Sequence, residues 1–488
     1  MRSNMAENSY TQADETKEIS NINHIFSDQQ AAFKGQRYLS LSERVNDLQQ
    51  LKLAIKAFKD PLIEALSQDF SGRSAGDSKM ADIMPTIMGI DYTIKHLKKW
   101  MKPAKRHVGA LFQPAKAFVV YQPLGVVGII TPWNYPVFLS IGPLTTALAA
   151  GNRAMVKMSE FTPATNEVIR SMLASVFPQE KVAVITGGIE SASHFSEQAF
   201  DHLLFTGSTQ VGKKVMASAA KNLTPVTLEL GGKSPAIIDT EIDISVAVSR
   251  LLLGKTLNAG QTCVAPDYVL CPDEKVEELI HELKMQFNGM YPTFADNEDF
   301  TSIINQAQFD RLERSLADAV DKGAIVTSLA NDSQRNGTAI ENNRKMPLRV
   351  VTNVTDEMQL MQEEIFGPIL PIVSYKTFEQ ALSYVNDRPR PLALYLCSFD
   401  ENRKQQVLQE THAGGVCIND AAVHVAQDDL PFGGVGPSGM GQYHGHEGFL
   451  TFSKAKPVFE RGKFNSAKMA YPPYGKWIHK LMDKLFLS

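Results

Sequence analysis

The stretch HLLFTGSTQVGKKV, residues 202–215, decides how the rest of the chain is read. Its first half, HLLFTG, is a short apolar run ending in a glycine, the pattern of a buried strand that turns sharply. Its second half opens a helix whose unpaired N-terminal amides would face whatever lies beyond the strand. Such amides suit a pyrophosphate, although the same segment also suits an ordinary strand-to-helix turn. Residues 207–213 match the first seven positions of a phosphate-binding P-loop, but the eighth is Lys214 where Mg²⁺ ligation requires Ser or Thr. A nucleoside triphosphatase is therefore not expected, and the GxGxxG dinucleotide fingerprint is absent as well.

Similar short runs recur on both sides: VVGII, RAMVKM and KVAVIT before the stretch, and YVLCP, RVVTNV and LPIVSY after it. Between them lie segments of helical length. Alternation of this kind predicts an α/β fold with parallel sheets and crossover helices. Residues 28–100 are read as helical, with Leu48, Leu51, Leu53, Ile55 and Phe58 spaced among lysines and glutamines. Open parallel sheets bind ligands beyond the carboxyl ends of their strands. The segments TPWNYP, KMSEFTP and TGSTQVG would lie there.

Composition narrows the function classes. With 488 residues and 43% hydrophobic content, the chain can form two or three domains with real cores. A net charge of −4 leaves no broad basic face, so nucleic acid is not expected as a partner. The four cysteines form neither a disulfide framework nor a CxxC knuckle, which points to reduced cytoplasm. Residues 1–27 are polar and lack a secretory apolar core, and they are expected to be a disordered lead-in. The uncharged stretch 117–152 is interrupted by Pro123, Pro132, Pro136 and Pro143, so it reads as strand, loop and buried helix, not as a membrane span.

Three residues carry candidate chemistry. Cys263, in LNAGQTCVAP, has small and polar neighbours where a structural cysteine would have aliphatic ones; it is a reactive thiol or a bland loop cysteine. Glu229, in VTLELGGKSP, lies between leucines and is a salt-bridge partner or a base with a raised pKa. Asn134, in ITPWNYPVF, is a loop asparagine bonded to its own backbone or an oxyanion donor.

Taken in order, TPWNYP, VKMSE, FTGSTQVG, LELGGKSP, NAGQTC, EEIFGP and LPFGGVGPSGMGQYHG resemble the NAD(P)-dependent aldehyde dehydrogenase superfamily, from about residue 30 to about residue 470. PLALYLCSFD and YHG followed by TFS are similar to its class 3 branch, in particular to coniferyl aldehyde dehydrogenases. The resemblance implies a Rossmann-type cofactor domain (28–100 and 122–229), an α/β catalytic domain (230–417), and a small β bridging and oligomerisation element with a return segment (101–121 and 418–470). It implies oxidation of an aldehyde, aromatic such as coniferyl aldehyde or of medium to long chain, to the acid by a homodimer. Cys263 would be the nucleophile, with the Asn134 amide and the Cys263 N–H as oxyanion donors and Glu229 as the base for hydrolytic water. Lys157 and Glu160 would hold the adenosine ribose. Gly207, Ser208 and Gly212 would face the pyrophosphate, Glu364 and Phe366 would position the nicotinamide end, and Trp133 would line the same cleft. Met158 departs from the family pattern, where proline often follows the lysine.

A carboxylate at Glu160 favours NAD over NADP by charge, with NADP use still open in this branch. Tyr135 and Phe432 either shape an apolar substrate tunnel or pack the core. A cysteine acyl hydrolase or transferase without nicotinamide, and a non-catalytic scaffold of the same fold, remain as alternatives. His444, His446 and Glu447 form a possible metal set, but alternate-residue histidines in a glycine-rich segment lack a defined third and fourth ligand, so no metal is expected. The amphipathic tail, residues 471–488, puts Trp477, Ile478, Leu481, Met482, Leu485 and Phe486 on one stripe. It either docks on protein or makes a weak contact with a membrane surface.

Overall fold

The computed structural model describes residues 10–331 and 344–487. Three sheets organise them. The first contains the parallel strands Val126–Ile130, Arg153–Lys157, Val182–Ile185, His202–Gly207 and Val226–Leu230. All five residues of Val126–Ile130 are buried, as expected for a strand covered by helices on both faces. The crossover helices are Phe138–Ala150, Pro163–Ala174, Ile189–Ser196 and Thr209–Ala220. Successive strands run outward from Val126–Ile130 in one direction, then restart on its other side with His202–Gly207. The crevice at that reversal is where open α/β sheets bind ligands.

The second sheet has seven strands, with Tyr268–Pro272 at its centre beside Pro235–Ile238 and Ile369–Tyr375. All its pairings are parallel except that of the edge strand Ile325–Ser328 with Arg349–Thr352. A third, antiparallel sheet joins Ala104–Arg106, Ala115–Pro123 and Ser453–Arg461. The α/β reading and the strands expected from the apolar runs hold.

Two expectations are corrected. The lead-in assigned to residues 1–27 is helical from Gln12, in a helix that continues to Gly35. Thr11 accepts from the Asp14 N–H while the Asp14 carboxylate accepts from the Thr11 N–H, a reciprocal cap that satisfies two helix-end donors. Ile22, Ile25 and Phe26 recur at helical spacing and are buried in the core that includes Phe195 and Phe200. Residues 1–9 lie outside the described residues. The return segment 418–470 is also divided: Gly439–Met440 pairs antiparallel with Val226–Leu230 in the first sheet, and only Ser453–Arg461 joins the three-stranded one.

Candidate active site

The loops at the crevice bring the three candidate residues together. Val226–Leu230 ends at Gly231, and its Glu229 side chain is buried against Thr206, whose hydroxyl approaches one carboxylate oxygen at 3.5 Å. The other carboxylate oxygen has no hydrogen-bond partner. Burial pushes the carboxyl up to about 7, while the Tyr443 phenol and the Thr206 hydroxyl pull in the opposite direction. Among the described residues Glu229 has no cationic partner, which speaks against the salt-bridge reading.

Cys263 follows a backbone in which Asn258, Ala259 and Gly260 all have positive φ, of 50°, 54° and 73°. Gly260 is required: a Cβ there would lie 2.6 Å from the Gly367 carbonyl oxygen. The turn leaves Cys263 half-buried, whereas Cys271, Cys397 and Cys417 are buried. The low-polarity surroundings raise the Cys263 thiol above its ordinary range, and the Glu229 and Glu364 carboxylates add to that. Cys263, Glu229, Thr262 and Tyr135 line a cavity of about 190 Å³. Most of its remaining wall is apolar, including Met80, Phe138, Leu139, Leu257 and Val425. Tyr135 thus lines the cavity, whereas Phe432 stacks on His444 with ring centroids 5.0 Å apart.

Asn134 is buried, and its amide donates to the Gln261 carbonyl at 3.2 Å. That bond ties it to the loop two residues before Cys263. An amide nitrogen carries two N–H groups, so that bond uses only one of them.

A second set of groups lies at or beyond the carboxyl ends of neighbouring strands of the first sheet. Ser208 caps the helix Thr209–Ala220, accepting from the Val211 N–H. A Cβ on Gly212 would lie 2.7 Å from Leu230, so glycine lets this helix start close to the strand. The buried Lys157 amine donates to the carbonyls of Met158 and Gly187 at 2.8 Å each, leaving one of its three donors. Burial pushes this amine down to about 8, with Glu160, Glu15 and Glu18 opposing the shift. Trp133 meets Phe366 edge to face at 5.3 Å, and Phe366 holds a positive φ of 50°. The Glu364 carboxylate lies directly over Gly231: a Cβ there would come within 2.2 Å of it. Burial and the neighbouring Asp267 push that carboxyl up to about 8. A helix N-terminus, a spare ammonium donor, a carboxylate and an aromatic pair along one crevice fit an extended dinucleotide.

Residues 5–458 match the model of the aldehyde dehydrogenase family. The chain belongs to that family. A protein from Pseudomonas aeruginosa named as a probable coniferyl aldehyde dehydrogenase is 56% identical, over 96% of this chain and 97% of the relative. The substrate-bound Staphylococcus aureus AldH superposes with a TM-score of 0.89 at 37% identity, covering 96% of this chain and 99% of that one. A Mycobacterium tuberculosis aldehyde dehydrogenase solved with NAD⁺ gives 0.82 at 27% identity, covering 92% and 91%. This aldehyde dehydrogenase is an oxidoreductase, and neither the hydrolase nor the scaffold alternative is favoured.

Sequence reasoning missed two parts of the enzyme's site. Tyr443 is buried with its hydroxyl beside Glu229, and it lies in the QYHGHEG segment where only the histidines and Glu447 drew notice. His444 packs on Phe432 and His446 on Trp100. Among the described residues no group of three His, Cys, Asp or Glu side chains gathers as metal ligands. The second omission is Arg73, whose guanidinium donates to the Asn134 backbone carbonyl at 2.6 Å. Nothing near Arg73 in sequence signals a contact with residue 134.

Proposed function

We propose that the enzyme oxidises an apolar aldehyde, aromatic like coniferyl aldehyde, to its carboxylic acid through an acyl group carried on Cys263. The observation that carries this reading is the shared cavity: a thiol and a carboxyl with a pKa near 7 open into one pocket with largely apolar walls. The substrate class draws further support from the coniferyl aldehyde dehydrogenase name of the 56% identical relative.

The Cys263 sulfur attacks the aldehyde carbon as its proton passes to solvent, and the carbonyl oxygen becomes an oxyanion. The second Asn134 amide N–H and the Cys263 backbone N–H hold that oxygen; one such donor contributes about 10²–10³ in rate. NAD, when bound in the crevice, would supply the two-electron acceptor that turns the adduct into a thioester. Glu229, deprotonated above about 7, takes a proton from the water that cleaves the resulting thioester. Cleavage returns the Cys263 thiol. Lys157 and Glu160 would hold the adenosine ribose, Gly207, Ser208 and Gly212 the pyrophosphate, and Glu364, Phe366 and Trp133 the nicotinamide end.

NAD is the preferred cofactor in this reading because Glu160 sits near the Lys157 amine and would repel a 2′-phosphate. The test is reduced-nicotinamide formation across aromatic, short-chain and long-chain aldehydes with NAD and NADP in parallel. Aromatic aldehydes with NAD should give the highest kcat/KM. Glu160→Gln should raise the NADP-to-NAD ratio of kcat/KM by about fivefold, the equivalent of about 1 kcal/mol of like-charge repulsion at an effective dielectric near 20. An unchanged ratio moves the selector to another residue.

The enzyme is further proposed to act as a cytoplasmic homodimer. The tail helix Trp477–Phe486 leaves Trp477 73% and Leu485 65% exposed, an apolar stripe suited to a second copy of the chain. No helix among the described residues is long and apolar enough to cross a membrane.

A further inference from the structure

Arg73 and Asp82 form an ion pair at 3.5 Å with neither side chain exposed to solvent. A fully buried pair adds little net stability, because desolvation offsets the attraction, so its presence calls for a geometric explanation. The guanidinium lies 4.9 Å from the ring centroids of both Phe70 and Tyr135. A planar cation is held in such a slot far better than an ammonium would be. From there its Nη1 donates to the Asn134 carbonyl at 2.6 Å, and Asn258 donates to the same oxygen at 3.1 Å. Tyr135, which forms one wall of the slot, meets the Thr262 hydroxyl at 3.0 Å, next to the nucleophile. Asp82 accepts from the Phe138 N–H at 2.6 Å and so anchors the far end of the same loop. Asp82 belongs to the π-helix Ser78–Ile83, whose Met80 and Ala81 line the substrate cavity. Single π-turns inside helices are frequent at functional sites.

We propose that Arg73, held by Asp82, is a positioning residue that fixes the loop 131–138 so that the Asn134 amide stands at the oxyanion beside Cys263. The inference rests on the oxyanion role proposed above for Asn134. Neither side chain lines the cavity, so each acts through the loop and not on the substrate.

The test is a double-mutant cycle on the full chain, read in kcat and KM with an aromatic aldehyde and NAD. Arg73→Lys keeps the charge and loses the fork, and should lower kcat about 10- to 100-fold while KM stays within about threefold. In an Asn134→Ala background the same substitution should cost less than about threefold, since the group it positions is gone. Asp82→Asn keeps an acceptor for the Phe138 N–H and should show a smaller loss with the same non-additivity. This second variant carries the test if Arg73→Lys does not fold, as monitored by Tm and near-UV circular dichroism. Equal losses in both backgrounds, or full kcat in folded Arg73→Lys and Asp82→Asn, would overturn the proposal. An Asn134→Ala enzyme with unchanged kcat would instead remove the oxyanion reading on which it stands.

Discussion

Cys263→Ala should abolish aldehyde oxidation, lowering turnover by at least about 10⁴-fold, while NAD binds within about threefold of the parent affinity. The first half of this expectation follows from the cavity: Cys263 is the single thiol on its wall, and the hydroxyls of Thr262 and Tyr135 are bonded to each other. The second half follows from the separation of the two sites. Lys157 ends the strand Arg153–Lys157 and is held by the Met158 and Gly187 carbonyls, Ser208 caps the helix Thr209–Ala220, and Glu364 lies over Gly231. Alanine is also smaller than cysteine, so the turn at residues 258–260 is not crowded by the change. Fluorescence titration with NAD and a sensitive assay for reduced nicotinamide check both halves. Turnover near the parent rate would end the covalent mechanism.

Glu229→Gln should separate the two halves of the reaction. Glutamine keeps the size of the side chain and an oxygen for the Thr206 hydroxyl, but it cannot accept a proton, so thioester hydrolysis should slow by about 10²–10⁴. Acylation should suffer less. Stopped-flow traces should show a burst close to one reduced nicotinamide per site followed by slow turnover, acyl-enzyme should be visible on Cys263 by mass spectrometry, and hydroxylamine should release it. A slowed burst would show that Glu229 also deprotonates the thiol; a folded variant with no burst and no trapped thioester would remove Glu229 from deacylation. The pH dependence has a defined sign. A base at Glu229 would work only when ionised, and burial pushes its carboxyl up to about 7, so parent turnover should rise as pH increases through that value. The glutamine variant should lose that limb.

Much of this was legible in the sequence because the signals were local. VVGII and HLLFTG became strands since each is a short buried run closed by a loop or glycine, and Gly207 and Ser208 turned the chain into a helix as their chemistry suggests. Cys263 and Glu229 stood out by the mismatch between residue and neighbours. Tyr443 and Arg73 did not, because their partners lie far away in sequence and only the folded crevice brings them close. The N-terminal helix was misjudged for a different reason. Its polar composition hid a reciprocal cap at Thr11 and Asp14 and three apolar residues at helical spacing, both of which can be read from the letters.

The pairing of Ala115–Pro123 with Ser453–Arg461 has a kinetic consequence. Nine residues of an early strand complete this ladder only when residues 453–461 are available, and the first sheet likewise waits for Gly439–Met440 to cover its Val226–Leu230 edge. During synthesis, a ribosome that has finished the five parallel strands of the first sheet still holds a nascent chain with an open sheet edge. Such high contact order predicts slow acquisition of the native state and an interval in which unpaired strands can associate between chains. Chaperone dependence and yield on refolding should therefore be set by closure of these two ladders, which lie at the far end of the chain from the segments they complete.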